Sequence, residues 1–493
     1  MIPLTLAEIA EAVDGRLVHA DPAAQVTGPA EYDSREIVAG GLFVAFPGEH
    51  VDGHDYGARA VAAGAAAVLA TRDMGPDVPA ILVDDAQDAL GPLARLVGRR
   101  LIEAGLTVVG LTGSSGKTTT KDMVAQLAAS LGPTVATAGS LNNELGFPVT
   151  ALRATGETRF LVLEMGASGL GHIRYLNEIV QPRIGVVLNV SMSHLGGYES
   201  VDGIAQAKGE MVEDLPAGGV AVLNADDERV AAMASRTKAR VVFFGESAEA
   251  DVRAEDVTLD ARGRPSFTLC TPDGRFPVAL GLTGRHMVSN SLAAAAVARE
   301  LGLTGAALAE ALGGMRTVST RRMDVFDRAD GVTVIDDSYN ANPSSTAAAL
   351  RALATLAGDG RRRAIAVLGQ MRELGEHSRD AHAEVGRLAA ELGVDRLLVV
   401  DPEAAPIADG ARSEQMWKGE SVLLADQSAA IATLRDDLRP GDVVLVKASR
   451  YRTWKVADAL RAAEADGVPL TRGTALRAAE ADGVPLTAGD ADA

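Results

Sequence analysis

"LTVVGLTGSSGKTTTKD", residues 106–122, decides how this chain is read. An apolar run with the character of a buried strand stops at Gly113-Ser114-Ser115-Gly116, and Lys117, Thr118 and Thr119 then open a helical pattern. A glycine-rich turn between strand and helix lines up backbone N–H groups at the positive end of the helix, which makes a phosphate cradle. The full nucleotide-binding pattern has a further glycine five residues before Gly116, where this chain has Leu111. Lys117 has the reach for β- and γ-phosphates, and the Thr118 hydroxyl is placed to ligand Mg²⁺. The amphipathic continuation through Met123, Val124, Leu127 and Leu131 argues against a turn that merely starts a helix.

Composition narrows the rest. A chain of 493 residues exceeds one core and suggests about three domains. Aromatic residues are only 3%, so the cores must be built from Ala, Val and Leu, which favours close-packed α/β layers. A net charge of −19 argues against a general nucleic-acid groove while allowing one anionic ligand held by local Lys and Arg. The lone Cys270 permits no internal disulfide and no thiolate-rich zinc cluster. "MIPLTLAEIAEAVDGRL" has no basic stretch ahead of its apolar residues, so it does not read as a secretory signal. No run approaches the ~18 apolar residues of a membrane span, and a cytoplasmic protein without membrane insertion is expected.

The pattern divides the chain at about 105, 315 and 460. In 1–105, "GGLFVAFPG" and "AILVDD" read as strands, and "YGARAVAAGA" and "DALGPLARLVGRRLIEAG" as helices. In 106–315, "FLVLEMG", "IGVVLNV", "GVAVLNADD" and "RVVFFG" alternate with helices, as in a mostly parallel, doubly wound sheet. Polar alternation over 251–283 predicts an antiparallel flap, and "HMVSNSLAAAAVARELG" returns to helix. In 316–460, "VTVIDD", "AIAVLG", "RLLVV" and "VVLVKAS" predict a second, Rossmann-like α/β unit. "ALRAAEADGVPLT" occurs at 459 and again at 475; two copies cannot stack as a solenoid, so 461–493 is expected to be a disordered tail without chemical work.

Three further residues attract attention in the middle segment. Glu164 ends the strand "RFLVLEMGAS", where an acid beside a phosphate loop either holds a metal or is an ordinary solvated strand end. His194, in "NVSMSHL", could reach the same crevice or be a satisfied structural group. Lys208, in "VDGIAQAKGEM", sits on a predicted helix, where a solvated lysine is the ordinary expectation.

Taken together, these residues resemble the Mur ligases, which build the peptide of bacterial peptidoglycan. The resemblance runs to about residue 460, and the shortened loop Thr112-Gly113-Ser114-Ser115-Gly116-Lys117-Thr118 is the family's own form. The order of motifs continues as "LEMGAS", "NVSMSHL", "IAQAKGEM", "LNADD", "GRHMVSN" and "IDDSYNANP". "DSREIVAGGLFVAFPGEHVDGHDY", "LNNELGFPVT" and "VLGQMRELGEHS" resemble the branch that joins D-alanyl-D-alanine to UDP-N-acetylmuramoyl-tripeptide.

The resemblance implies an ATP-dependent ligase that passes through an acyl phosphate. Lys117 would steady the migrating phosphoryl group, Thr118 and Glu164 would hold one Mg²⁺, and His194 with Lys208 would hold a second. It further implies carbamylation of Lys208, which turns a cation into an anionic oxygen ligand. Asn290 matches the adenine side, and Arg322 and Asp337 would close over the γ-phosphate and ribose. Ser34 and Arg35 match the uridine diphosphate site. Asn340, Asn342, Asn142 and Asn143 would line the peptide end, although each asparagine also suits a turn or a cap. Ligands divided among the three segments put the site between domains, and a monomer is the default.

This chain departs from the family at four places. Met287 follows His286 where asparagine is usual, Gln370 replaces an acid, and Ala448 replaces glycine. Tyr451, Arg452 and Trp454 stand where small residues are common, either reshaping the pocket for the amine or covering a sheet edge. A paralogue joining another carboxylate and amine is therefore one alternative. A folylpolyglutamate synthetase fits poorly with the residues ahead of the loop, and a cyanophycin-type ligase needs a module that this length cannot hold. A P-loop kinase or NTPase leaves "DDSYNANP" unexplained, and a regulator without turnover leaves the retained Lys117, Thr118, Glu164, His194 and Lys208 unexplained.

Overall fold

The computed structural model describes residues 1–48, 51–191, 198, 200–358, 360–449 and 452–465. Three large sheets follow one another along the chain. The first has five strands, with parallel Ala30–Glu31, Leu42–Val44, Ala67–Ala70 and Ala80–Leu82, and Arg16–Val18 antiparallel on one edge. The predicted helix in "YGARAVAAGA" is shorter than its pattern, Gly57–Ala62, because Gly64 turns the chain with φ +109°.

The second sheet has nine strands and carries the phosphate loop. Thr107–Thr112 lies between Phe160–Glu164 and Ile184–Val187, parallel to both. These strands are covered on both faces, which is why they read as near-continuous apolar runs. After Phe160–Glu164 the chain crosses to the other side of the phosphate-loop strand, so a crevice opens at the strands' carboxyl ends. The antiparallel segment expected over 251–283 is present and forms one end of this sheet. Val252–Leu259 pairs parallel with Arg240–Gly245, and Pro265–Thr271 and Gly274–Ala279 extend the same sheet. Their alternating pattern reflects one buried and one solvated face at the sheet's end.

The third sheet has six strands; Thr333–Asp336, Val443–Lys447, Ala364–Leu368, Arg396–Val400 and Glu420–Leu424 are parallel, and Asp324–Asp327 is antiparallel on the edge. The last described helix, Trp454–Ala465, continues past the expected boundary at 460, where Arg461 donates to Asp324 at 2.7 Å. The duplicated copy at 475 lies outside the described residues.

The segments are joined by packing and polar contacts. One apolar cluster runs from Val109 and Leu111 through the helix Met287–Glu300 to Leu445 of the third sheet. The linker at 316–322 lies along the phosphate-loop helix Lys117–Ala129. There the Gln126 amide donates to the Arg316 carbonyl and accepts from its N–H, both at 3.1 Å, and Asp122 accepts from the Ser319 N–H at 3.2 Å.

Candidate active site

The loop is built around Gly116, whose φ of +79° places it in the left-handed region immediately before the helix. The adjacent strand end locks the loop. Asn189 accepts from the Ser115 N–H at 2.9 Å and donates to the Ser115 carbonyl at 3.1 Å, and its own carbonyl accepts from the Ser114 N–H. Sequence reasoning missed Asn189; its signal was a polar residue closing the apolar run "IGVVLN".

The loop floors a cleft of about 1340 Å³ that both the middle and third segments line. Ser114, Ser115, Gly116, Lys117, Thr118, Thr119, Glu164, Asn142, Asn143, Asn290, Arg322, Asp337, Asn340 and Asn342 all face it. Gly113 lies at the loop's start, where its carbonyl accepts from Lys117 Nζ at 2.8 Å. Half-buried Lys117 has its pKa lowered by desolvation, opposed by the Glu164 charge and reinforced by Arg322.

Glu164 is 1% exposed rather than a solvated strand end. Its Oε1 accepts from Asn142 Nδ2 at 2.7 Å, while Oε2 is buried with no hydrogen-bond partner. A buried carboxylate oxygen left without a donor is costly unless a ligand satisfies it. Among the described residues no group of three or more His, Cys, Asp or Glu gathers to hold a metal. A cation here would rest on Glu164, the Thr118 hydroxyl and oxygens of the nucleotide, a donor set that suits Mg²⁺.

From the third segment, Arg322 Nη2 donates to Thr118 Oγ1 at 3.2 Å across the domain boundary. Asp337 accepts from the Met323 N–H at 3.1 Å and is ion-paired with buried Lys447, which also donates to the Asn340 carbonyl at 2.9 Å. Lys447 ends the apolar run "VVLVK" and was passed over in the sequence. His286 lines the cleft too; burial lowers its pKa, opposed by Asp337, so a neutral imidazole faces the site at pH 7. Lys117 and Arg322, with Lys447 paired to Asp337, bring cations into a cleft that Glu164 and Glu373 also line.

Several asparagines have structural duties. Asn342 caps the helix Pro343–Ala357 by accepting from the Ser345 N–H at 2.8 Å, and Asn143 accepts from the Gly146 N–H at 3.0 Å. Lys208 departs from the solvated lysine expected on a helix: it is 3% exposed and does not line the cleft. Desolvation, followed by repulsion from Lys117, holds its pKa well below the usual lysine value. Ser34 and Arg35 do not line this cleft, and the Arg35 guanidinium forks onto Asp33. His194 and Tyr451 lie outside the described residues. Of the other departures, Met287 is buried beside Asn290, and the Gln370 side-chain oxygen is buried without a partner.

A Cβ at Gly116 would sit 2.6 Å from Asn290 Oδ1. Gly116→Ala is therefore expected to cost about 1–2 kcal/mol of backbone strain. If that strain falls on the loop, nucleotide binding weakens about tenfold by calorimetry; an unchanged affinity would show that the loop does not depend on this turn.

Comparison with known proteins gives this arrangement a class. The Mur ligase family catalytic-domain model matches residues 30–97, the Mur ligase middle-domain model matches 111–298, and the Mur ligase glutamate-ligase-domain model matches 321–450. The chain belongs to the Mur ligase family. It is 48% identical to the UDP-N-acetylmuramoyl-tripeptide–D-alanyl-D-alanine ligase of Mycobacterium tuberculosis H37Rv, over 95% of this chain and 99% of that one. The enzyme of the same name from Escherichia coli K12 is 35% identical, over 95% and 100%. Among solved structures, MurF from Acinetobacter baumannii aligns with a TM-score of 0.81 at 31% identity, covering 93% of this chain and 99% of that one. MurF ligase from Thermotoga maritima in complex with ADP gives 0.75 at 31%, covering 90% and 99%. No described helix is long and apolar enough to cross a membrane.

Proposed function

We propose that this chain joins D-alanyl-D-alanine to UDP-N-acetylmuramoyl-tripeptide at the expense of ATP, in peptidoglycan precursor synthesis. The observation that carries the reading is the meeting, in one cleft, of a phosphate loop, an unsatisfied Glu164 oxygen and cationic groups from two segments. That is a site for moving a phosphoryl group onto an acceptor, not merely for binding a nucleotide.

The terminal carboxylate of the tripeptide attacks the γ-phosphorus of ATP, giving an acyl phosphate and ADP. The dipeptide amine then adds to the activated carbonyl, and the tetrahedral intermediate collapses with loss of phosphate and a proton to leave the amide. The protein's contribution is positioning and charge neutralisation. Lys117 and Arg322 would neutralise the migrating phosphoryl group, Asn290 would meet the adenine side, and Asp337 the ribose. Thr118 and Glu164 would hold one Mg²⁺, and carbamylated Lys208 with His194 a second. Bound there, Mg²⁺ would supply Lewis-acid neutralisation of phosphate charge. A lowered lysine pKa favours the neutral amine that carbamylation requires. Ser34 and Arg35, in the N-terminal segment 1–105, would meet the uridine diphosphate. Asn142, Asn143, Asn340 and Asn342 would line the peptide end. Closure of the third segment on the second would keep water from the acyl phosphate. A cytoplasmic monomer completes the reading.

The test is phosphate release from ATP with UDP-N-acetylmuramoyl-tripeptide and D-alanyl-D-alanine, omitting each in turn. Release that requires both, with the mass of the UDP-muramoyl-pentapeptide appearing, is the expected result. Release only with another amine or carboxylate would make this chain a paralogue of different specificity.

A further inference from the structure

Arg321 and Arg322, adjacent in the linker, each cover an aromatic ring. The Arg322 guanidinium lies 4.2 Å from the centroid of Tyr339, and that of Arg321 lies 4.9 Å from the centroid of Trp454. The two rings are neighbours, 6.1 Å apart and tilted by 30°. Each is tethered by its polar end: the Tyr339 hydroxyl bonds the Ser140 hydroxyl of the middle segment, and Trp454 Nε1 donates to the Ser338 carbonyl at 2.8 Å. Arg321 also donates to Asp458 at 2.7 Å. The backbone accommodates this through left-handed conformations at Arg321 and Met323, φ +60° and +49°, which non-glycine residues adopt at a cost. Both rings are half-buried and line the catalytic cleft, so they are not simply core residues.

We propose that Trp454 and Tyr339 are positioning residues for the transfer step, acting through Arg322. The stack Arg321–Trp454–Tyr339–Arg322 spans from the last described helix to Thr118. It fixes the plane and position of the Arg322 guanidinium where the terminal phosphate of ATP would lie. A planar guanidinium over a ring is held in orientation as a flexible ammonium is not. Because Ser140 and Thr118 belong to the middle segment and the stack to the third, the Tyr339 tether and the Arg322 contact form only when the two are docked. The stack thereby ties correct placement of a phosphoryl-neutralising cation to domain closure. This inference rests on the ligase reading above and goes beyond it in giving the bulky residue at 454 a task.

The experiment is a double-mutant cycle. Trp454→Ala should lower kcat about tenfold or more, since misplacing a group by about an ångström costs up to 10²-fold. The KM for ATP should move less than about threefold, because the affected interaction belongs to the transition state. Trp454→Phe, which keeps a ring, should recover most of the loss. In an Arg322→Ala background, Trp454→Ala should cost less than about a further twofold, because the residue through which it acts is gone. An unchanged kcat in Trp454→Ala, or losses that multiply in the double variant, would overturn the proposal. A readout without acceptor separates it from the ligase reading. The chain has 2 tryptophans, so Trp417→Phe leaves Trp454 as the only indole. Its emission should change on adding MgATP, and Arg322→Ala should remove that change while calorimetry still records ATP binding. Bound ATP with no emission change in the Trp417→Phe protein would reject the stack even if the ligase assay fails.

Discussion

Replacing Lys208 with alanine or methionine should reduce amide formation about 10³-fold or more while leaving the protein folded. A Lewis-acid metal contributes several kcal/mol to neutralising transferred phosphate charge, and each 1.36 kcal/mol is about tenfold in rate. On the proposed reading, both variants lose the group that would anchor the second ion. Stability should move the other way. Lys208 is 3% exposed on the helix Val201–Glu213, and burial with Lys117 repulsion lowers its pKa. As the unmodified amine, its pKa is lower folded than unfolded, so in metal-free, uncarbamylated protein the unfolded chain binds more protons between the two values and stability rises with pH. The penalty is fully present below the folded pKa and is gone above the ordinary lysine value of 10.5. Methionine keeps most of the stem and has no charge, so Lys208→Met should melt no lower than the parent at pH 7 and flatten this part of the pH dependence. Thermal melts and phosphate release on the same preparations check both statements. Near-full turnover in either variant would remove Lys208 from the metal site.

Lys117→Ala should lower kcat by about 10²–10³-fold, the scale on which one electrostatic stabiliser of a developing charge acts. Its ammonium bridges the loop to Gly113 and sits within the fields of Glu164 and Arg322, so it is held where phosphate charge must be met. Folding should not suffer, because the lost bond is a single half-buried contact and the removed charge was partly desolvated. Lys117→Arg should fail to restore the rate: a planar fork does not reproduce a compact ammonium inside a closed loop. Single-turnover measurement separates the chemical step from binding. A kcat within about tenfold of the parent in Lys117→Ala would displace this residue from the transfer step.

Much of the fold was legible because its signals are local. The apolar runs that became Thr107–Thr112, Phe160–Glu164 and Ile184–Val187 are continuous because a parallel sheet buries both faces of each strand. Short edge pieces were missed: Arg16–Val18 is held by the distant strand Ala80–Leu82, and Asp324–Asp327 is a short, acid-ended edge strand in a hairpin with Thr333–Asp336. Alternation over 251–283 correctly marked antiparallel strands, but the parallel pairing of Val252 with Phe244 that joins them to the large sheet leaves no local trace.

The site divides along the same line. From sequence alone came the phosphate loop and the family order of motifs that singled out Glu164, Lys208 and Arg322. Only the tertiary structure decided what surrounds them. Glu164 has a buried oxygen without a partner, and Lys208 is desolvated rather than solvated. The aromatic rings at 339 and 454 meet between consecutive arginines. The physical reason is that a backbone turn is specified by its own few residues. Burial, pairing and pKa depend on groups brought together from distant positions, and those meet only once the chain has packed.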